Sequence, residues 1–180
     1  EGVGMSARGA WRLVSRHFAE RGMNPYEEEF TDAGVGDMGG DVFGNGLLET
    51  EKVRLKAAFN HLHIFLDPNP DAATSFAERT RLFACQGGWD QYDTSLISDG
   101  GGVFDRRHKS VPLSTGGQQM LGLEMNEATP EQVMNAVLKL DVDLLWNGGI
   151  GTYVKATEET HRDADDRSND TLRVSASELR

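Results

Sequence analysis

The stretch from residue 30 to residue 60 constrains the fold more than any other part of this chain. A short run that favours a β-strand, Phe30–Val35, enters the glycine-rich segment Gly34–Gly39, and a second strand-like run, Val53–Phe59, follows. The segment Gly34–Gly39 fits the pattern G-x-G-x-x-G. A strand, a glycine loop and a second strand in this order are typical of a dinucleotide-binding unit, provided that a helix opens at the loop.

Each glycine of such a loop has a physical task. The first makes a tight turn out of the strand, the second lets the backbone approach a pyrophosphate, and the third lets the next helix pack against the sheet. The N–H groups at the start of that helix, predicted over residues 40–48, would face the anion. The candidate cofactor-binding residues are Gly34, Gly36, Asp37, Met38 and Gly39. Since 21 of the 180 residues are glycine, a purely structural glycine turn remains the alternative.

A residue that binds the adenosine ribose is expected about 20 residues beyond the loop, at the end of the second strand. Asn60 occupies this position. An acidic residue is usual there, because a carboxylate accepts hydrogen bonds from the ribose hydroxyls and repels a 2′-phosphate. Asparagine carries no charge, so Asn60 alone predicts weak discrimination between NAD and NADP. Asp67 is the second candidate, although it lies farther along, in the turn-forming sequence DPNPD.

The rest of the chain alternates helix-like and strand-like segments. Helices are predicted over residues 7–21, with Ser6 as the N-cap, over residues 72–83, and from Pro130 after a capping box. Further strands are predicted over residues 63–67, 142–146 and 172–176, with short extended pieces at 95–97 and 103–104. This alternation favours an α/β fold with a mostly parallel sheet.

A second glycine-rich turn, Asn147–Gly151, follows the predicted strand over residues 142–146. Ligands of open α/β sheets bind beyond the carboxyl ends of the strands, so this turn is a candidate cofactor contact. An ordinary strand-exit turn is the equal alternative. His61 and His63 alternate along one strand, but no third or fourth ligand is placed beside them, so no metal site is predicted.

Composition excludes several classes of function. A formal net charge of -11 repels phosphate backbones, so nucleic acid is not an expected partner. No apolar run approaches the roughly 20 residues that span a bilayer, and the first residues lack a signal-peptide pattern. The single cysteine, Cys85, indicates a reducing compartment. The absence of an initiator methionine leads us to expect a segment of a longer protein.

Four strings resemble the large bacterial NAD-specific glutamate dehydrogenases. They are GVGDMGGDVFGNG, HIFLDPNPDAATSFAER, SLISDGGGVF and VDLLWNGGIGTYVKA, and they occur in the right order along essentially the whole chain. The resemblance implies a Rossmann-type, doubly wound NAD-binding domain over residues 1–180, with helices on both faces. It also implies a leading helix within residues 1–22 and a Gly/Asp-rich, family-specific insertion over residues 84–128.

The implied reaction is oxidative deamination of L-glutamate to 2-oxoglutarate and ammonia, with hydride transfer to NAD, in a cytoplasmic homo-oligomer. Ser6-Ala7-Arg8-Gly9 is similar to a Thr-Gly-Arg-Gly stretch that lies near the nicotinamide in this family, which makes Ser6 and Arg8 candidates for cofactor binding. Asn147, with Gly148 after it, is similar in position to residues that edge the nicotinamide pocket.

The chain departs from the family pattern in three places. Asp32 interrupts a strand that is normally apolar, and Asn60 stands where the large enzymes usually have aspartate. None of the five lysines is followed by Gly-Gly, the context of the lysine that polarises the substrate in these enzymes. We therefore expect no catalytic residue in this segment, which would bind NAD against a flanking substrate domain without turning over glutamate alone. Two alternatives remain: a nucleotide-sensing regulatory module without catalysis, and a domain that has lost its cofactor and only packs against neighbours.

Overall fold

A five-stranded sheet forms the centre of the computed structural model, which describes residues 4–180. The five helices are α1 (Met5–Glu20), α2 (Phe43–Gly46), α3 (Ala72–Ala84), α4 (Thr115–Leu121) and α5 (Pro130–Leu138). The strands are β1 (Phe30–Val35), β2 (Val53–Phe59), β3 (His63–Leu66), β4 (Gly102–Asp105), β5 (Val111–Pro112), β6 (Glu127–Ala128), β7 (Leu144–Asn147), β8 (Val154–Lys155) and β9 (Val174–Ser175). The fold class is α/β, as predicted.

The central sheet has the strand order β4-β3-β2-β1-β7 and is mixed. Strand β1 pairs in parallel with both β2 and β7, whereas β3 pairs antiparallel with β2 and with β4. The expectation of a mostly parallel sheet is therefore wrong for β3 and β4. Only residues 60–62 connect β2 to β3. Parallel strands need a crossover of a dozen residues or so, and a connection this short permits only a hairpin.

The three parallel strands create a crevice at one edge of the sheet. Their carboxyl ends lie together, and β1 has β2 on one side and β7 on the other. The chain leaves β1 toward β2 and returns much later to β7, so the strand order reverses at β1. Ligands of open α/β sheets bind at such switch points, because the connections diverge there and leave space between them.

Helices pack on both faces of the sheet. Adjacent residues Ala57 and Ala58 of β2 belong to two different hydrophobic clusters, as expected from side chains that alternate across a strand. One cluster includes Trp11 of α1 and Leu82 of α3. The other includes Val133 of α5 and residues of α4. Two small sheets, β5 with β6 and β8 with β9, lie outside the central one.

The first helix begins slightly before the residue that the sequence predicts. It starts at Met5, and its N-cap is Gly4, which has a left-handed φ of 54° and makes no side-chain capping bond. Ser6 lies inside the first turn, so its prediction as the N-cap is wrong. A Cβ on Gly4 would meet only the end of the Asn45 side chain, which can move, so the left-handed φ is what favours glycine at this position. Residues 1–3 of the predicted leading helix lie outside the described part of the chain.

Helix α5 begins where its capping box predicts. The Gln132 N–H donates to Thr129 Oγ1 at 3.3 Å, and the Thr129 N–H donates to Gln132 Oε1 at 2.8 Å. We expect Thr129→Ala to lower the free energy of unfolding by about 1 kcal/mol, because an N–H in the first turn loses its acceptor. Urea denaturation measures this change. Thr94→Ala, at an exposed threonine, is the control, and an equal loss in both variants would contradict the capping role.

Candidate functional site

A cavity of about 480 Å³ opens at the carboxyl edge of the parallel strands. Its walls come from the ends of β1 and β2, the turn after β4, and the segment that follows β7. The lining residues are Val35, Gly36, Asp37, Asn60, His61, Arg106, Gly149, Ile150, Tyr153, Ser168 and Asn169. Its volume lies within the range of about 300–1,000 Å³ that is usual for small-molecule sites.

Close approach of three backbone segments forms the floor of this cavity. The Gly36 N–H donates to Phe59 O at 2.9 Å, and the Gly148 N–H donates to Val35 O at 2.8 Å. A Cβ on Gly36 would lie 2.3 Å from Phe43 Cβ and 3.2 Å from Gly148 O. Gly36 also has a φ of +153°. Glycine is therefore required here, and the surface it leaves is bare backbone that a ligand can approach closely.

The other members of the predicted glycine loop pack inside the protein and support the residues that line the cavity. Gly34 lies within β1, where a Cβ would be 2.4 Å from Trp146 O. Met38 is fully buried beneath the loop, and Gly39 packs against the backbone of Gln86. None of these three lines the cavity.

The helix expected after the glycine loop is much shorter than predicted. The sequence predicts a helix over residues 40–48, but α2 covers only Phe43–Gly46. The Gly40 and Gly44 N–H groups both donate to Asp37 O, at 3.0 and 3.2 Å. A Cβ on Gly44 would lie 1.7 Å from Met38 O, so the chain folds back on itself here instead of continuing as a regular helix.

The remaining sequence candidates lie outside the cavity. Ser6 and Arg8 are exposed on α1, and Arg8 forms an ion pair with Glu49 at 3.7 Å. Asn147 is exposed at the end of β7, beside Val35 in register. Of the Asn147–Gly151 turn, Gly149 and Ile150 line the cavity, and Ile150 is fully exposed.

Asn60 and Asp37 form a hydrogen-bonded pair at the rim. Asn60 Nδ2 donates to Asp37 Oδ1 at 2.6 Å, and His61 Nδ1 lies 3.8 Å from the same oxygen. Asn60 Oδ1 accepts from the N–H groups of Leu62 and His63, at 2.8 and 2.7 Å, and so closes the hairpin between β2 and β3. Both Nδ2 and Oδ1 of Asn60 therefore make hydrogen bonds within the protein. The Asp37 side chain, by contrast, is 55% exposed.

Arg106 and Tyr153 complete the cavity, and sequence reasoning missed both. Arg106 Nη1 donates to Asn60 O at 2.8 Å. Burial raises the pKa of Tyr153, and the nearby charge of Arg106 opposes that rise. The Tyr153 hydroxyl donates to Ile150 O at 2.8 Å, and its ring meets Phe59 edge-on at 5.5 Å. Tyr153 lies just beyond the Asn147–Gly151 turn, so that candidate turn could have pointed to it. No local sequence pattern singles out Arg106.

A buried arginine, Arg173, stabilises the part of the cavity wall that comes from the segment after β7. The Arg173 side chain is fully buried; its Nε donates to Thr152 O at 2.7 Å and its Nη1 to Asp170 Oδ1 at 2.6 Å. Hydrogen bonds from Asn169, from the Thr152 N–H and from Ser168 lower the pKa of Asp166 to about 2. These contacts join residue 152 to residues 166–173, and the packing of Tyr153 on Phe59 of β2 connects this segment to the sheet.

Asp32, which interrupts the apolar pattern of β1, faces away from the cavity. It is fully buried, and its carboxylate has no hydrogen-bond partner within residues 4–180. Burial raises the pKa of Asp32 well above its usual value, and the charge of Arg79 opposes this. Arg79 is equally buried and donates to the carbonyls of Ser75, Leu47 and Val53 at 3.2, 2.7 and 3.3 Å.

Neither a metal-binding cluster nor a membrane-spanning helix occurs in the described chain. No group of three or more His, Cys, Asp or Glu side chains in residues 4–180 could hold a metal ion. Over the same residues, no helix is both long and apolar enough to cross a membrane.

Comparison with known proteins places the whole chain in one family. The family profile described as "Bacterial NAD-glutamate dehydrogenase, catalytic domain" matches residues 1–180. The chain is 52% identical over 181 residues to a protein of Pseudomonas aeruginosa named NAD-specific glutamate dehydrogenase. It is 51% identical to proteins of the same name from Halomonas elongata, over 178 residues, and from Mycobacterium tuberculosis, over 185 residues.

These alignments cover 98 to 100% of the chain but only 11% of each relative. The chain therefore spans about a ninth of the length of the curated relatives it matches.

Proposed function

The chain belongs to the bacterial NAD-glutamate dehydrogenase family, in the part described as the catalytic domain, and from this membership we propose that it forms the NAD-binding wall of the active site. The proposed reaction of the whole enzyme is oxidative deamination of L-glutamate to 2-oxoglutarate and ammonia. The observation that carries the proposal is the cavity at the switch point beside β1, whose floor is the bare backbone at Gly36.

The residues around the cavity fit a dinucleotide. Glycine at position 36 lets the loop pack closely against Phe43 and Gly148, and its backbone lines the cavity where a pyrophosphate would approach. In this proposal the adenosine half would lie between Asn60 and Tyr153, which both line the cavity, and the nicotinamide half would extend toward Asn147 at the end of β7. In this proposal the strands β2, β1 and β7 act as the Rossmann-type unit, and β3 and β4 are an antiparallel extension of it.

The chain's own contribution to catalysis would be binding and orientation. NAD, when bound, supplies the hydride acceptor, and the reaction needs the α-carbon of glutamate held against the nicotinamide ring. Within this sequence no lysine stands before Gly-Gly. We therefore assign the substrate-polarising lysine and the acid/base group to a substrate domain elsewhere in a longer protein. A cytoplasmic homo-oligomer remains part of the proposal.

A chimera tests the function directly. The 181-residue matching segment of the Pseudomonas aeruginosa protein is replaced by this chain, and NAD-dependent oxidation of glutamate is measured. We expect the chimera to retain activity within about tenfold of the parent, because half of the replaced residues are unchanged and the cavity is intact. A folded chimera that binds no NAD would overturn the proposal. One that binds NAD without oxidising glutamate would favour the regulatory, nucleotide-sensing alternative.

Binding to the chain by itself is a second expected result. At 100 times its dissociation constant, NAD should stabilise the folded state by about 2.7 kcal/mol, which corresponds to a rise of about 5–10 °C in the thermal midpoint. NADP and ATP at the same concentration serve as controls. Equal shifts with all three ligands would argue against a site selective for NAD.

A further inference from the structure

We propose that Asp37, and not Asn60, selects NAD over NADP by accepting hydrogen bonds from the hydroxyls of the adenosine ribose. The inference rests on the proposed function, since it concerns the same cavity. It differs from the usual arrangement, in which the selecting carboxylate stands at the end of the second strand. In this chain that position holds Asn60, and the nearest carboxylate comes from the glycine loop itself.

The side chain of Asn60 has no acceptor left for a ribose hydroxyl. Its Nδ2 donates to Asp37, its Oδ1 accepts two N–H groups of the hairpin turn, and its carbonyl oxygen accepts from Arg106. The side-chain oxygen of asparagine has two lone pairs, and both are used. Asn60 thus acts as the residue that closes the hairpin and positions Asp37.

Asp37, by contrast, is held in place and still open to a ligand. Asn60 fixes Oδ1 at 2.6 Å, and His61 lies 3.8 Å from the same atom. Oδ2 has no hydrogen-bond partner within residues 4–180, and the side chain is 55% exposed at the cavity rim. A carboxylate in this position can accept from a ribose hydroxyl and repels a 2′-phosphate. Because Asp37 directly follows Gly36, it lies beside the place proposed for the pyrophosphate.

Arg106 supplies the opposite charge in the cavity. It is the only arginine or lysine among the described lining residues, and its Nη1 is engaged by Asn60 O. An arginine near the ribose is the feature that accommodates a 2′-phosphate in NADP-binding sites. With Asp37 present, its repulsion opposes the attraction of Arg106. Removing the carboxylate should therefore weaken NAD binding and strengthen NADP binding in the same variant.

The test is titration calorimetry of the purified protein with NAD and with NADP. We expect the wild type to bind NAD more tightly. Asp37→Asn should raise the Kd for NAD about tenfold, the effect of losing one charge-assisted hydrogen bond, and should lower the Kd for NADP. Asp41→Asn is the matched control: it removes one negative charge from the same loop at a residue that does not line the cavity, and both constants should stay unchanged.

Asn60→Asp separates the two assignments. If position 60 were the selector, a carboxylate there would strengthen the preference for NAD. We expect the opposite, because the new carboxylate would lie 2.6 Å from Asp37 Oδ1 and could no longer donate to it. Aspartate keeps the oxygen that closes the hairpin, so the fold should persist, which circular dichroism checks.

The outcomes distinguish this inference from the function on which it rests. If the wild type binds NAD and Asp37→Asn leaves both constants unchanged, the inference is wrong and the proposed function stands. Asn60→Asp with a stronger preference for NAD would also overturn the inference. A wild type that binds no NAD would overturn both.

Discussion

Gly36→Ala is expected to remove most of the NAD affinity of the protein. The added Cβ would lie 2.3 Å from Phe43 Cβ and 2.7 Å from Phe43 Cγ, so the loop must move. Movement away from Phe43 carries the loop toward the cavity, so its displaced backbone would occupy the space proposed for the pyrophosphate. Overpacking costs about 1–3 kcal/mol, and a cost of this size borne by the complex with NAD would raise the Kd about 5- to 150-fold. Titration calorimetry with NAD measures the change.

The matched control is Gly116→Ala. Gly116 lies in α4, and a Cβ there would meet no atom closer than 3.5 Å. This variant should bind NAD like the wild type and should be more stable by about 0.5–1 kcal/mol, because alanine favours a helix over glycine. If Gly36→Ala kept wild-type affinity while remaining folded, the backbone at Gly36 would not be the point of contact, and the position of the pyrophosphate would have to be revised.

Arg79→Met should cause a far larger loss of stability than removal of the helix cap at Thr129. The substitution leaves Asp32 buried without the positive charge that opposes the rise in its pKa, and leaves the carbonyl groups of Leu47 and Val53 without their donor. Each buried carbonyl left without its donor costs about 1–3 kcal/mol, and loss of the positive charge opposite the buried Asp32 adds to this. Urea denaturation at pH 7 measures the free energy of unfolding.

Two further variants show whether charge is the cause. Arg16→Met removes an arginine whose side chain is 77% exposed, and it should change stability by less than about 0.5 kcal/mol. Combining Arg79→Met with Asp32→Leu removes both charges, and it should recover part of the loss. A double variant that is no more stable than Arg79→Met alone would show that Arg79 acts through its carbonyl contacts and not through Asp32.

Local patterns predicted the elements that matter for the site. Strands β1 and β2 have the predicted bounds, Phe30–Val35 and Val53–Phe59, and each ends directly before a turn-forming residue, Gly36 or Asn60. The capping box placed the start of α5 for the same kind of reason, since Thr129 and Gln132 act within one turn. These features depend on residues a few positions apart.

The features that differ from expectation have two different causes. The antiparallel hairpin is readable in the sequence, because residues 60–62 are too few for a parallel crossover, although the alternation of elements favours a parallel sheet. The environment of Asp32 could not be predicted from the sequence. Arg79 stands 47 residues later on a helix, and only the folded core brings the two residues together. Arg106 reaches the cavity in the same way, through the pairing of β4 with β3.

The order in which the sheet assembles follows from the position of β7. Strand β1 pairs with β2 over about 20 residues of sequence, but Asp32 pairs with Leu144 across 112. Closing so long a loop is slow, because its entropy is lost before any contact compensates for it. During synthesis, one flank of β1 must wait unpaired until the ribosome has released residue 147, and the cavity cannot close before residue 169 follows. We therefore expect β7 to join the sheet after β1 and β2 have paired.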